Sequence, residues 1–275
     1  MRVGYYQFRP IFGKVKQNTQ KVIKTLGEVH ADLVVLPELA FTGYYFKDRA
    51  EVMSLAEDPE SSSTVNALIA LCKERKINLV TGFAEKDKDK CFNSALLIGS
   101  EGIRHKYRKL HLFNEEKNCF DPGDIPLEVN QVKDAKIGMM VCFDWAFPEV
   151  ARVLALQGAD ILCHPSNLVL EYCQQSMLTR SLENKVYSIT ANRFGYDKRS
   201  FGSLKFTGKS QIVAPGGTLI KRGYSQREEL YLMDIDPSLA RDKNITELNE
   251  IMADRRPQFY SIINNKENKN EVYNS

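Results

Sequence analysis

The 275-residue sequence has no apolar run near the roughly 18 to 20 residues that cross a bilayer. Its strongest run, Ile137 to Phe143, is stopped by Asp144, so no membrane partner is expected. It also lacks a dominant charge: 38 Lys and Arg stand against 35 Asp and Glu, a formal net charge of +3, which leaves no footprint for nucleic acid. No G-x-G-x-x-G follows the first strand pattern, and Pro215-Gly216-Gly217 comes late in the chain, which excludes a dinucleotide site of that type. Histidine is scarce, at 4 residues, and none lies in a metal-ligand cluster. His105 and His111 have no third ligand nearby, and the adjacent Cys163 and His164 would point to opposite sides of a strand, so no metal and no other cofactor is expected. The 6 cysteines form no C-x-x-C pair. The Met1 to Gln7 segment reads as a strand and lacks the basic start and longer apolar core of a secretory signal, so the expected location is the cytoplasm and the thiols should stay reduced.

What is present is ordinary globular material, 43% hydrophobic and 27% charged, in an alternation of strand and helix patterns. Val3–Phe8 reads as a strand, and Val22, Ile23, Leu26 and Val29 recur at helical spacing between about Asn18 and His30. Asp32–Glu38 is a continuous apolar strand that ends at a carboxylate and runs into an aromatic turn, Phe41 to Tyr45. A helix from Ser61–Thr64 to about Arg75 precedes strands at Asn78–Phe83, Asn93–Ile98 and Ile103–Tyr107. The charged stretch from Lys109 to Pro126 reads as loop. Lys136–Cys142 is a buried strand, a helix runs from about Pro148 to Gln157, and Asp160–Pro165 repeats the strand pattern. A helix over roughly 171–187, strands at Ser188–Asn192, Gln211–Ala214 and Leu230–Ile235, and short helices near Thr246 and Met252 complete the reading. Residues 1–263 are expected to form one domain and 264–275 a polar tail. The class is α/β in layers, with mixed sheets because hairpin-like pairs accompany the βα units.

Cys142 stands where a buried strand turns into a helix, and proximity to the helix dipole would favour its thiolate. A cysteine nucleophile needs a base, and none of the histidines has a papain-like surrounding. Glu38, at a strand end between Pro37 and aromatic residues, should be partly desolvated, and its proton affinity should rise toward neutrality. Lys109, taken alone, reads as a surface lysine.

Leu36-Pro37-Glu38, Tyr107-Arg108-Lys109-Leu110-His111-Leu112 and Val141-Cys142-Phe143-Asp144-Trp145-Ala146-Phe147-Pro148-Glu149, in that order, resemble the nitrilase superfamily of carbon-nitrogen hydrolases. The likeness extends through Asp121-Pro122-Gly123-Asp124, Gly158-Ala159-Asp160, His164-Pro165-Ser166-Asn167, Leu182-Glu183-Asn184 and Asp254-Arg255-Arg256-Pro257, nearly the whole chain. It implies a four-layer αββα sandwich, commonly dimerised, so a homodimer or higher homo-oligomer is expected. It also implies Glu38 as general base, Lys109 as oxyanion-stabilising lysine, Cys142 as nucleophile and the Phe143 N–H as a second oxyanion donor. Glu116 matches a second glutamate of the same pocket, with Glu115 as the alternative register. Tyr44, Trp145 and Asn167 are expected to touch substrate, while Phe41 and Phe147 could line the pocket or pack in the core.

Those residue types suit thiol-dependent hydrolysis of a small amide or N-carbamoyl amine through a Cys142 thioester. The alternative is hydrolysis of small aliphatic nitriles, since nitrilases typically carry Cys-Trp-Glu where this chain has Cys142-Phe143-Asp144, although small archaeal-type nitrilases with Cys-Phe-Asp-Trp resemble it closely. Trp145 and Ala146 replace the arginines that carbamoylases of amino acids place after the acidic residue, which weakens that substrate class. A scaffold that makes no use of the triad would show no unusually reactive thiol.

Overall fold

The structure, a computed structural model, describes residues 1–264. The tail expected over 264–275 lies, from residue 265 on, outside the described residues. Residues Met1–Asp242 form one compact unit, and the chain from Lys243 on forms another.

The first half of the larger unit contains β1 (Arg2–Gln7), α1 (Val15–Leu26), β2 (Leu33–Val35), α2 (Arg49–Leu55), α3 (Ser63–Arg75), β3 (Asn78–Asp87), β4 (Lys90–Gly99), β5 (Gly102–Arg108) and the single turn α4 (Glu116–Cys119). The second half contains β6 (Val129–Val132), β7 (Ala135–Met139), α5 (Pro148–Leu156), β8 (Ile161–Ser166), α6 (Cys173–Asn184) and β9 (Tyr187–Asn192). It continues through β10 (Phe194–Arg199), β11 (Gly202–Thr207), β12 (Gln211–Val213), β13 (Leu219–Arg222) and β14 (Glu229–Asp234). One six-stranded sheet has the order β14-β1-β2-β3-β4-β5 and the other β13-β12-β9-β8-β7-β6. Each is mixed: β1, β2 and β3 run parallel in the first and β7, β8 and β9 in the second, with antiparallel strands outside them. The sheets meet face to face through β1–β3 and β8–β9, with α1 and α3 outside one and α5 and α6 outside the other. This is the expected αββα sandwich.

Local chemistry fixes the helix ends. Ser62 caps α3 by accepting from the Val65 N–H at 3.0 Å, and Val65, Leu68, Leu71 and Cys72 are buried along the helix. α1 starts at Val15, three residues before the sequence pattern places it. Asn18 lies inside it with its side chain turned to the Ile11 backbone and to Phe41 O, so it anchors a loop and does not open the helix. The α6 helix spans Cys173–Asn184 and stops short of the expected Tyr187 because Lys185 adopts a left-handed conformation. Several elements had no clear signal: α2, capped by Asp48, the single turn α4 inside the stretch read as loop, the strands β6 and β13, and the β10–β11 hairpin. In the smaller unit, the short helices expected near Thr246 and Met252 are replaced by a hairpin, β15 (Asn244–Thr246) with β16 (Asn249–Glu250), followed by turns. There the Thr246 hydroxyl donates to Asn249 Oδ1 across the tight turn and competes with helical bonding.

The chain after β2 continues alongside β3, with Leu36 N on Val80 O, Gly82 N on Pro37 O and Ala40 N on Gly82 O. Gly82 makes that approach possible, since a Cβ there would stand 2.3 Å from the Glu38 Cα. The expected cost of Gly82→Ala is about 1–3 kcal/mol of stability, because backbone cannot yield as a side-chain tip would. Urea unfolding checks it; a midpoint equal to wild type contradicts this packing.

Candidate active site

Four expected residues converge from four connections. Glu38 follows β2, Lys109 follows β5, Glu116 opens α4 and Cys142 follows β7, and all four are buried. Lys109 Nζ donates to Glu38 Oε1 at 2.7 Å and to Glu116 Oε1 at 2.8 Å. Glu116 also accepts from the Tyr44 hydroxyl at 2.7 Å and the Phe113 N–H at 3.1 Å. That resolves the register: Glu116 is in the cluster, whereas Glu115 is exposed beside Asn118. Gly123, in the Asp-Pro-Gly turn, lets the loop lie against this strand end, as a Cβ there would stand 2.1 Å from Arg108 O.

Asn93 has no motif around it, and its role emerges only from the pairing of β3 with β4. Its Nδ2 donates to Glu38 Oε1 at 2.7 Å, and its carbonyl accepts the Lys109 N–H at 2.9 Å. Glu38 Oε1 thus takes two donors, while Oε2 is buried without a partner in the protein. Asn167 lies between Glu38 and Cys142: its Nδ2 donates to Glu38 O at 2.8 Å, its buried Oδ1 is unpartnered, and it lines the pocket at Cys142.

Cys142 opens a 3₁₀ turn, Cys142–Ala146, with a left-handed φ of 43°. Asp144 secures the turn: Oδ2 accepts from the Val141 N–H and the Tyr107 hydroxyl, both at 2.8 Å, and Oδ1 lies 2.8 Å from His111 Nδ1. Tyr107 and His111 flank Lys109 in sequence, so one buried carboxylate registers the lysine strand against the cysteine turn.

Burial raises the proton affinity of Glu38, as expected; Lys109 opposes that rise and Glu116 adds to it. For Lys109, burial works against the charge, but the carboxylates of Glu116 and Glu38 outweigh it and hold the ammonium above its ordinary value. The expectation of a dipole-stabilised thiolate at Cys142 does not hold. Burial, then Glu38, push its thiol well above the ordinary value, and only Lys109 and the Asn167 N–H pull it down. The reason is local: α5 starts only at Pro148, after the 3₁₀ turn, so no α-helical N-terminus faces the sulfur. The resting sulfur is therefore held as the thiol.

A small pocket of about 20 Å³ at Cys142 is lined by Phe113, Phe143, Trp145, Asn167 and Leu168–Leu170. A larger one of about 260 Å³ shares Phe113 and Val169 with it and is bordered by Tyr44, Glu116 and Leu204. Trp145 and Asn167 thus reach the Cys142 pocket, and Tyr44 borders the neighbouring one. Phe41 belongs to the core beneath α1 and α3, and Phe147 stacks on His111 at 3.6 Å between ring centroids.

A model of the carbon-nitrogen hydrolase family matches residues 2–244. The chain belongs to that family. This carbon-nitrogen hydrolase is 42% identical over 263 residues to a nitrilase from Pyrococcus abyssi, covering 94% of this chain and 99% of that one. It is 30% identical over 242 residues to an (R)-stereoselective amidase from a Pseudomonas species, covering 86% of each. Its fold superposes on a carbon-nitrogen hydrolase from Helicobacter pylori with a TM-score of 0.86 at 26% identity, covering 96% of this chain and 97% of that one. The hydrolase therefore acts on carbon-nitrogen bonds other than peptide bonds. No helix among the described residues is long and apolar enough to cross a membrane, and they hold no cluster of His, Cys, Asp and Glu arranged for a metal ion.

A base must be unprotonated to act, so activity should rise with pH through the titration of the Glu38 cluster. With Glu38 held above its ordinary 4.5, the acid limb of kcat/KM should have its midpoint above that value. Asn93 donates to the carboxylate and lowers its proton affinity, so Asn93→Leu should move the limb to higher pH. A limb at or below 4.5, or a downward shift in the variant, would contradict the assignment.

Proposed function

We propose that this enzyme hydrolyses a small amide through a Cys142 thioester and releases ammonia or an amine and an acid. Glu38 takes the thiol proton as the sulfur attacks the carbonyl carbon, and the π electron pair moves onto oxygen. Lys109 and the Phe143 N–H stabilise that oxyanion. The tetrahedral intermediate collapses as Glu38 passes its proton to the leaving nitrogen, which departs and leaves the thioester. Water then attacks with Glu38 accepting its proton, and the second collapse expels the thiolate, which recovers the proton. Glu116 positions Lys109, and Tyr44 positions Glu116.

The observation that carries this reading is the pair of unpartnered buried acceptors, Glu38 Oε2 and Asn167 Oδ1, beside Cys142. A substrate that brings N–H donors satisfies them, and an amide nitrogen has those donors while a nitrile nitrogen has none. The pocket lining is otherwise apolar, which suits a small uncharged acyl group with Trp145 against it. A second reading, nitrile hydrolysis by the same three residues, is favoured by the 42% identity to a nitrilase. We further propose a homodimer, supported by Val153, Leu156 and Leu182 exposed on α5 and α6.

A paired assay decides between substrates. Small aliphatic amides are expected to exceed their matching nitriles in kcat/KM by at least about tenfold, roughly 1.4 kcal/mol of transition-state discrimination. Cys142→Ala, which removes one sulfur and little core volume, should fall below about a hundredth of wild type on either substrate while remaining folded. A nitrile processed faster than its own amide replaces the first reading with the second. A folded, active Cys142→Ala overturns both.

A further inference from the structure

His164 is the one buried imidazole next to the nucleophile's backbone, and the reaction scheme above gives it no part. It lies on β8, with no exposed surface. Its Nε2 is 2.9 Å from the carbonyl oxygen of Cys142 and 3.1 Å from Ser166 Oγ, and its Nδ1 is 3.1 Å from Thr190 Oγ1, directly across the β8–β9 ladder. A carbonyl oxygen can only accept, so Nε2 carries the hydrogen and Nδ1 accepts from the Thr190 hydroxyl. Burial, the largest influence, lowers the imidazole's pKa to about 4, so this neutral tautomer is the working form near pH 7.

The carbonyl of Cys142 and the N–H of Phe143 belong to one peptide unit. That unit is trans and planar, so its C=O and N–H point in opposite directions. It follows a cysteine at a φ of 43°, a left-handed conformation in which an L-residue must be held by its surroundings. A donor fixed on the carbonyl sets the plane's rotation, and with it the direction of the Phe143 N–H, away from the sheet that carries His164. It also polarises the amide and makes that N–H a stronger donor. As the second residue of the 3₁₀ turn, Phe143 has one of the N–H groups that no turn of the helix satisfies.

We propose that His164 is a positioning residue that sets the oxyanion-binding orientation of the Cys142–Phe143 peptide, with Thr190 as its anchor. The inference rests on the proposed use of the Phe143 N–H. It accounts for a His-Thr-Ser network buried beside, but not in, the set of Glu38, Lys109 and Glu116.

The test uses two substitutions. His164→Asn can keep a partner for Thr190 but is too short to reach the Cys142 carbonyl, whereas the Nε2 of His164→Gln can reach it. Two rates and one affinity are compared on proteins whose melting temperatures show them folded: amide turnover, alkylation of Cys142 by iodoacetamide, and inhibition by the aldehyde analogue of the substrate. The aldehyde forms a tetrahedral hemithioacetal whose oxygen occupies the hole, while alkylation is a displacement at saturated carbon that makes no oxyanion. In His164→Asn, kcat should fall about 10- to 100-fold with KM within about twofold, and aldehyde affinity should fall by a similar factor. Alkylation should stay within about threefold of wild type, and His164→Gln should recover most of the loss. If His164→Asn does not fold, Thr190→Val, nearly isosteric, should weaken aldehyde binding in the same direction by a smaller factor. Aldehyde affinity equal to wild type in the folded variants, or alkylation falling in step with turnover, overturns the assignment. A wild-type protein that neither turns over amides nor binds the aldehyde would instead refute the proposed function itself.

Discussion

An ammonium group with no exposed side-chain surface, shared between two buried carboxylates, is the constraint around which this sandwich is arranged. Taking those charges out of water is costly, and breaking such a pair by removing one partner typically costs about 3–5 kcal/mol, because it leaves an uncompensated charge in low dielectric. Each member is accordingly held by more than the ion pair. Asn93 and the backbone approach over Gly82 fix Glu38, Tyr44 and the Phe113 N–H fix Glu116, and the Gly123 turn closes on the Lys109 strand end. Lys109 and Glu38 hold opposite balances: the ammonium is stabilised by two negative neighbours, while the carboxylate, penalised by burial, is left ready to bind a proton.

Under the proposed function, that balance lets an unactivated thiol serve as the nucleophile. The Cys142 thiol is not lowered by a helix terminus, and its neighbours raise its proton affinity on balance. On that proposal the nucleophile is generated only as the proton leaves, and thiol and carboxylate act as one unit. Burial raises the proton affinity of both groups, so Glu38 is a stronger base than an exposed carboxylate while Cys142 is a weaker acid than an exposed thiol. Asp144 preserves the geometry by bonding both to the turn that carries Cys142 and to the residues on either side of Lys109.

The sequence made the strand-end positions legible, because Glu38 and Cys142 each close a continuous apolar run, and runs of that kind mark buried strands in either sheet. Lys109 and Glu116 were legible only through the family resemblance, since nothing local distinguishes a lysine that will be buried from one left in water. Asn93 and the partners of Asp144 were not legible at all: they depend on the β3–β4 register and on the approach of the two sheets, which are long-range facts. The same limit accounts for the misplaced start of α1. The helical periodicity becomes visible only from about Asn18, and nothing local shows that the helix extends back to Val15 or that the Ile11 and Phe41 backbones lie within reach of the Asn18 side chain.

The most direct test of the central claim, a proton-coupled cysteine that is acylated by its substrate, is intact-mass analysis of enzyme quenched in acid during steady-state turnover of a small amide. A mass increase of the acyl group less one hydrogen is expected, located to the peptide containing Cys142 and removed by hydroxylamine as a thioester should be. Turnover at full rate under conditions that would trap a thioester, with no adduct on Cys142, would contradict it.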